Sequence, residues 1–213
     1  MKKNTWQGIR KNNDTEITVK HSRFIASLRS VTRAEEVGAA LKEISTLYPR
    51  ATHYCYAYRL GAEAKDEYAS DAGEPGGTAG RPILGALKRH DLTNTLLVVT
   101  RYFGGVKLGV PGLISAYGDA AEAVIEDPNI ATFTMAQHLH IECSYDMAKS
   151  VRTTLAKCGV GQDRVKTEWG ENVTVEAVVL CSLAEKVNES FEQFSARGLL
   201  LAFEWQENLQ CEI

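Results

Sequence analysis

The 213-residue sequence predicts an α+β protein with two domains. In the first half, two glycine-rich loops at 70–81 and 103–112 each lead into a helix-like segment, and one apolar strand lies between them. In the second half, strand and helix patterns alternate as βαββαβ. The segment 126–129 (EDPN) breaks a helix between the two halves. We therefore predict domains at 1–130 and 134–213.

The first elements follow from local patterning. Residues 17–19 and 23–28 predict two short strands. Thr32 is a candidate N-cap, and Glu35 three positions later completes a capping box. The helix that follows carries apolar residues at helical spacing and ends before Pro49.

The glycine loops belong to the next set of elements. Residues 53–60 predict a tyrosine-rich strand, followed by a polar loop at 62–69. Pro82 suits the first turn of a helix that ends near residue 90. The run TLLVVT at 95–100 is apolar on both faces and predicts a central strand. A further helix is predicted at 113–125.

The second domain has an order typical of a ferredoxin-like fold, with two helices on one face of an antiparallel sheet. Its predicted strands and helices lie at 132–145, 146–157, 164–169, 173–180, 183–196 and 199–207.

Composition is that of an ordinary globular protein, with 44% hydrophobic and 24% charged residues. No apolar run reaches the length of a membrane span, and the N-terminal residues lack the apolar region of a secretory signal. The five cysteines are scattered without a CxxC pair, which is typical of reduced thiols. We expect a cytoplasmic protein with no membrane contact and no cofactor.

Charge is distributed unevenly between the two halves. Residues 1–133 contain 17 Lys and Arg against 15 Asp and Glu, a net charge of +2. Residues 134–213 contain 7 against 12, a net charge of −5. The mildly basic half holds both glycine loops and hints at an anionic partner, although a solvated surface explains so small an excess equally well.

The glycine loops supply the candidate binding residues. Backbone N–H groups in a glycine loop before a helix suit an anion. We expect the Arg101 side chain to emerge from the end of its strand, beside the second loop, and to supply charge with Lys107. The residues predicted to bind a partner or anion are Thr78, Arg81, Arg101, Gly104, Gly105 and Lys107.

Two carboxylates of the first loop have a structural and a chemical interpretation. Asp71 and Glu74 can cap the following helix or pair with Arg81, which is the commoner use of such residues. Alternatively they bind a metal or act as acid and base. We favour the structural role and assign no catalytic residue.

Other candidate pairs carry weak signals. His53 and Cys55 lie two positions apart on one strand, an unsuitable geometry for a nucleophile and its base. His138, His140 and Cys143 lack a fourth zinc ligand at suitable spacing, so no metal site is predicted. The chain also lacks the P-loop, dinucleotide-binding, hydrolase-elbow and zinc-protease motifs.

Three unusual strings identify a family resemblance. ATHYCYAYRLG (51–61), GEPGGTAGRPIL (73–84) and TRYFGGVKLG (100–109) resemble the hallmark segments of the IMPACT family, also known as UPF0029 or YigZ-like proteins. KHSRFIAS (20–27) fits the N-terminal strand of that family. The rest of the chain fits the second domain of the bacterial two-domain members.

The resemblance implies a fold for each domain and a role connected with translation. It implies a first domain similar to the second domain of ribosomal protein S5 and a second domain similar to the last domain of elongation factor G. For eukaryotic relatives it implies competition for an activator of a kinase that controls translation initiation. We therefore expect a non-enzymatic protein whose partner is the ribosome, RNA or a translation-associated protein, of undetermined oligomeric state. The alternative is a small-molecule hydrolase, or another metal- or phosphate-dependent enzyme, that uses Asp71 and Glu74.

Overall fold

The computed structural model describes residues 5–125 and 127–213. By its internal contacts the chain divides into two compact units, residues 1–132 and 133–213. Within the described residues, none of the helices has the length and apolar character that crossing a bilayer requires.

The first unit is built on an antiparallel five-stranded sheet. In spatial order its strands are β2 (Asn13–Val19), β3 (Ser22–Ser30), β6 (Thr95–Tyr102), β4 (His53–Leu60) and β5 (Asp66–Ser70). A short strand, β1 (Thr5–Ile9), precedes them. Three helices complete the unit: α1 (Ala34–Leu47), α2 (Gly80–Arg89) and α3 (Gly109–Val124).

The sheet has a hydrophobic core on each face, and strand β6 contributes to both. Leu97 and Val99 pack in the core that includes residues of α2 and α3. Leu96 and Val98 point to the other face, which α1 covers. This alternation follows from the two-residue period of a strand. The predicted central strand at 95–100 is confirmed.

The edge of this sheet differs from the prediction. The segment 62–69 was predicted to be a polar loop, but residues from Asp66 onward form β5, which pairs with β4. Strand β5 has a single neighbour and no fully buried residue, so its sequence lacks the apolar alternation of an inner strand. Tyr68 lies 5.9 and 5.8 Å from the ring centroids of Tyr56 and Tyr58.

The second unit shows the predicted βαββαβ order. Its elements are β7 (Ile130–Cys143), α4 (Tyr145–Cys158), β8 (Val165–Trp169), β9 (Val173–Leu180), α5 (Ala184–Ala196) and β10 (Leu200–Glu212). The strands form an antiparallel arrangement in the order β10-β7-β9-β8. Alternate residues of β9 are buried and share one core with α4 and α5.

Candidate functional site

The first glycine loop is held by the carboxylate of Asp71. One oxygen accepts hydrogen bonds from the backbone N–H groups of Ala79 and Gly80, at 2.9 and 2.8 Å, and the other accepts one from Gly77 at 2.8 Å. Asp71 thus caps α2 from nine residues before its first helical residue. Burial alone would raise the pKa of Asp71, but these three hydrogen bonds outweigh it and lower the pKa below its ordinary value.

The second carboxylate of this loop is buried in an ion pair. Glu74 accepts a hydrogen bond from the Arg101 guanidinium at 2.5 Å and another from the Tyr117 hydroxyl at 2.8 Å. The Glu74 side chain is only 4% exposed and that of Arg101 only 7%. Removing one partner of such a pair leaves an uncompensated buried charge. Glu74 therefore ties the first loop to β6 and α3.

The predicted exposure of Arg101 is wrong. Strand β6 continues through Arg101 to Tyr102, so the Arg101 side chain leaves the strand on its inner face. The guanidinium carbon lies 5.4 Å from the ring centroids of both Phe24 and Phe103. Arg101 consequently offers no free charge to a partner.

Thr78 is also less accessible than a binding residue needs to be. Its side chain is buried, and its hydroxyl donates a hydrogen bond to the Pro75 carbonyl at 2.7 Å. It stabilises the turn that precedes α2 and offers no exposed donor.

The second glycine loop crosses closely over the turn between β2 and β3. A Cβ atom placed on Gly104 would lie 2.0 Å from the His21 carbonyl oxygen. The Gly104 N–H donates to the Ser22 hydroxyl at 3.2 Å, which fixes the crossing. Beyond this point Gly105 and Lys107 are exposed. Only glycine permits such an approach of two backbones.

Buried Cys55 and half-buried His53 make further polar contacts beside the ion pair. The Cys55 thiol donates to the Asp71 carbonyl at 2.9 Å and lies 3.4 Å from the Tyr117 hydroxyl. Burial raises the pKa of Cys55 to about 12, so the thiol stays protonated and is a poor nucleophile. His53 lies 3.9 Å from Glu74, and its Nδ1 is 2.9 Å from the Ala72 carbonyl oxygen.

Tyr117 is the residue of this polar cluster that the sequence did not single out. It is fully buried on α3, and its ring packs edge-on against Phe24 at 5.2 Å. The sequence signal for it is a single tyrosine on an apolar helix face that is rich in alanine, with Ala116, Ala120 and Ala121 nearby. A buried tyrosine usually finds a hydrogen-bond partner for its hydroxyl.

An exposed surface adjoins both glycine loops. We call it the glycine-loop face and define it by two cations and four apolar side chains: Arg81, Phe103, Val106, Lys107, Val110 and Ile114. A shallow groove of about 350 Å³ lies between α2 and α3 and is lined by Arg81 and Ile114. Within residues 5–125 and 127–213, neither Arg81 nor Lys107 has a carboxylate within ion-pairing distance.

No metal centre emerges from the described part of the chain, which holds no cluster of three or more His, Cys, Asp and Glu side chains arranged around a common point. His140 pairs with Glu176 on the adjacent strand, with its Nδ1 2.6 Å from a carboxylate oxygen. His138 is exposed, whereas Cys143 is buried in the core of the second unit.

Comparisons with known proteins agree on one family. A family model described as the Impact N-terminal domain matches residues 20–125. The IMPACT family member YvyE of Bacillus subtilis (strain 168) is 32% identical over 186 residues, which cover 87% of this chain and 83% of YvyE. The IMPACT family member YigZ of Escherichia coli (strain K12) is 32% identical over 142 residues, 66% of this chain and 70% of YigZ.

One solved structure resembles the chain over almost its full length. It is the crystal structure of a hypothetical protein, with a TM-score of 0.66 and 25% sequence identity. The match covers 95% of this chain and 96% of the other.

Proposed function

Because this chain belongs to the IMPACT family, we propose that it is a cytoplasmic, non-enzymatic binding protein that acts on translation. Its partner is the ribosome, RNA or a ribosome-associated factor, contacted through the glycine-loop face. The proposed role in translation rests on the family resemblance. The choice of the glycine-loop face as the binding surface rests on the charges and exposed side chains of the first unit.

The observation that carries this proposal is the position of two exposed cations without a salt bridge beside exposed apolar side chains on the glycine-loop face. Arg81 and Lys107 are exposed, while most other arginines of the first unit are engaged by carboxylates, as Arg29 is by Asp14 at 2.8 Å. Free cations at a rigid loop suit phosphate or carboxylate groups. Exposed apolar neighbours such as Phe103 and Ile114, which are 47% and 44% exposed, suit a macromolecular partner.

The geometry of the carboxylates favours binding over acid–base chemistry. Asp71 is engaged by three backbone N–H groups, and Glu74 by Arg101 and Tyr117. A general acid or base must be free to exchange a proton with a substrate. These two side chains instead shape the loop that carries the exposed cation Arg81.

We also propose a fold type for each unit. We assign the first unit to the type of ribosomal protein S5 domain 2 and the second to the ferredoxin-like type of the last domain of elongation factor G. The strand order β10-β7-β9-β8, with α4 and α5 sharing one core, supports the second assignment.

Co-sedimentation with ribosomes across a salt series tests the proposal. We expect the unaltered protein to pellet with ribosomes at low salt and to be released as salt rises, because phosphate contacts are salt-dependent. We expect Arg81→Glu/Lys107→Glu to weaken this binding at least about tenfold, because two attractive contacts become repulsive.

The matched control is Lys11→Glu/Lys42→Glu, which makes the same change in charge at exposed lysines of the first unit outside the glycine-loop face. Equal loss of binding in both double variants would show a general charge effect and overturn the assignment of this face. Absence of sedimentation by the unaltered protein at low salt would reject the ribosome as partner.

A further inference from the structure

The second unit contains a groove of about 430 Å³ between helix α4 and the edge strand β8. Its lining includes the small or aliphatic residues Ala148, Val160 and Val165. Lys149 and Arg152 of α4 and Trp169 of β8 also line it. The volume lies within the range of about 300–1,000 Å³ that small-molecule sites occupy.

An exposed aromatic pair lies at this groove. Trp169 is 58% exposed and Tyr145 is 54% exposed, and their ring centroids are 5.4 Å apart. The Tyr145 hydroxyl donates to the Gly170 carbonyl at 2.7 Å, which joins the start of α4 to the turn after β8. The indole therefore packs beside a tyrosine that is itself anchored to the turn, while most of the indole stays exposed next to the groove. A large exposed aromatic side chain of this kind is typical of a contact surface.

The groove is positively charged within an acidic unit. Residues 145–169 contain five Lys and Arg against three Asp and Glu, whereas residues 183–213 contain two against six. Lys149 and Arg152 are exposed, and no carboxylate of the described residues lies within ion-pairing distance of either. The second unit as a whole is negatively charged, but residues 145–169 carry a local excess of positive charge.

We propose that this groove binds single-stranded RNA, with a base stacked on Trp169 and the adjoining phosphates contacted by Lys149 and Arg152. Cations that follow the backbone and an aromatic side chain that takes a base are the combination by which single strands are bound without sequence preference. Duplex RNA keeps its base faces stacked inside the helix, so it does not use the indole. An acidic peptide would use the cations but gains no base stacking.

The inference goes beyond the proposed function, because it assigns a ligand class and a site to the second unit. It does not depend on Arg81 or Lys107, and the two surfaces are tested separately.

The test is fluorescence anisotropy of a fluorescein-labelled ten-residue oligouridylate titrated with the full-length chain. We expect Trp169→Ala to weaken binding about 5- to 150-fold, the range measured for loss of one base–aromatic stack, and Trp169→Phe to retain most of the affinity. Replacing both Lys149 and Arg152 by alanine is expected to lower the salt slope by about 0.7 for each phosphate that the protein no longer neutralises.

The matched control is Lys42→Glu/Arg197→Glu, which alters exposed cations away from the groove and is compared with Lys149→Glu/Arg152→Glu. Circular dichroism establishes that each variant is folded. Unchanged binding by Trp169→Ala would overturn the proposal. So would loss of binding in Arg81→Glu/Lys107→Glu alone, which would place RNA on the glycine-loop face. Tighter, Trp169-dependent binding of an oligoglutamate peptide would show that the groove serves an acidic protein instead.

Discussion

At the scale of single residues, the surroundings decide what a glycine or an arginine does. Gly104 is required because the His21 carbonyl occupies the space of a side chain, whereas a methyl group added to Gly76 would meet no atom within 4 Å. Arg101 and Lys107 lie only six positions apart, yet the first is 7% exposed in its side chain and the second is exposed to solvent. The presence of a glycine or of a positive charge in the sequence does not by itself show which of them is enclosed by the fold.

We expect Gly104→Ala to destabilise the first unit by about 3 kcal/mol or more, because the new methyl group forces apart two backbone segments. Gly76→Ala is the matched control and should change stability by less than about 0.5 kcal/mol. Urea unfolding at pH 7 measures both. Equal stabilities of the two variants would show that the second loop does not cross the β2–β3 turn this closely.

At the scale of elements, the N-terminus of α2 depends on a side chain outside the helix. Asp71 satisfies the N–H groups of Ala79 and Gly80, which a helix leaves without partners in its first turn. Its lowered pKa makes this cap sensitive to acid. The carboxylate contributes stability that is fully present above the unfolded-state pKa of about 3.8 and is lost as pH falls through the lower folded-state pKa.

We expect Asp71→Asn to lower the free energy of unfolding at pH 7 by about 1.5–3 kcal/mol, the range for hydrogen bonds to a charged group. The difference from the unaltered protein should shrink as pH falls below about 3.8, because Asp71 then takes up a proton in the unfolded chain while the folded cap stays ionised until its lower pKa is reached. Urea titrations at pH 7 and pH 3 measure this. Glu171→Gln, in the exposed turn after β8, controls for loss of one negative charge. A gap that stays constant between the two pH values would contradict the capping role.

Strong periodicity made most elements predictable from sequence. Strand β9 was predicted at 173–180 and occupies Val173–Leu180, since every second residue is buried. Strand β5 was missed because backbone hydrogen bonds to β4, and not apolar burial, hold its polar sequence in place. The first helix was predicted to use Glu35 in a capping box, but Glu36 accepts the Thr32 N–H at 2.7 Å. Such local choices depend on side-chain geometry that spacing does not fix.

At the scale of the whole molecule, the two units carry separate hydrophobic cores and opposite net charges. The glycine loops and the cations near them could be recognised in the sequence, and they stay a prediction of where the site lies. It did not indicate which cation is free, since the pairing of Arg101 with Glu74 joins positions 27 residues apart. Burial and pairing between distant positions are set by the three-dimensional fold and leave no local pattern in the sequence.

The three tryptophans report on both units in one measurement. Trp6 is 2% exposed and Trp205 packs partly buried against the second core, whereas Trp169 is 58% exposed. We therefore expect acrylamide to quench exposed Trp169 more strongly than the other two tryptophans, which gives a curved Stern–Volmer plot. The steep initial part of that plot, which comes from Trp169, should disappear in Trp169→Phe. Trp205→Phe, the matched change at a partly buried position, should leave that steep part in place. Equal quenching of the unaltered protein and Trp169→Phe would show that Trp169 is shielded.

The backbone of the first glycine loop is already fixed before any partner arrives, since Asp71 holds three of its N–H groups and Glu74 anchors it to β6. Ordering a flexible loop on association costs conformational entropy. The first glycine loop is already ordered in the folded protein, so association does not have to order it. On the proposed docking at the glycine-loop face, the first loop would then lose entropy mainly through long side chains such as Arg81. Association at this face should accordingly be fast and should require little rearrangement of the protein.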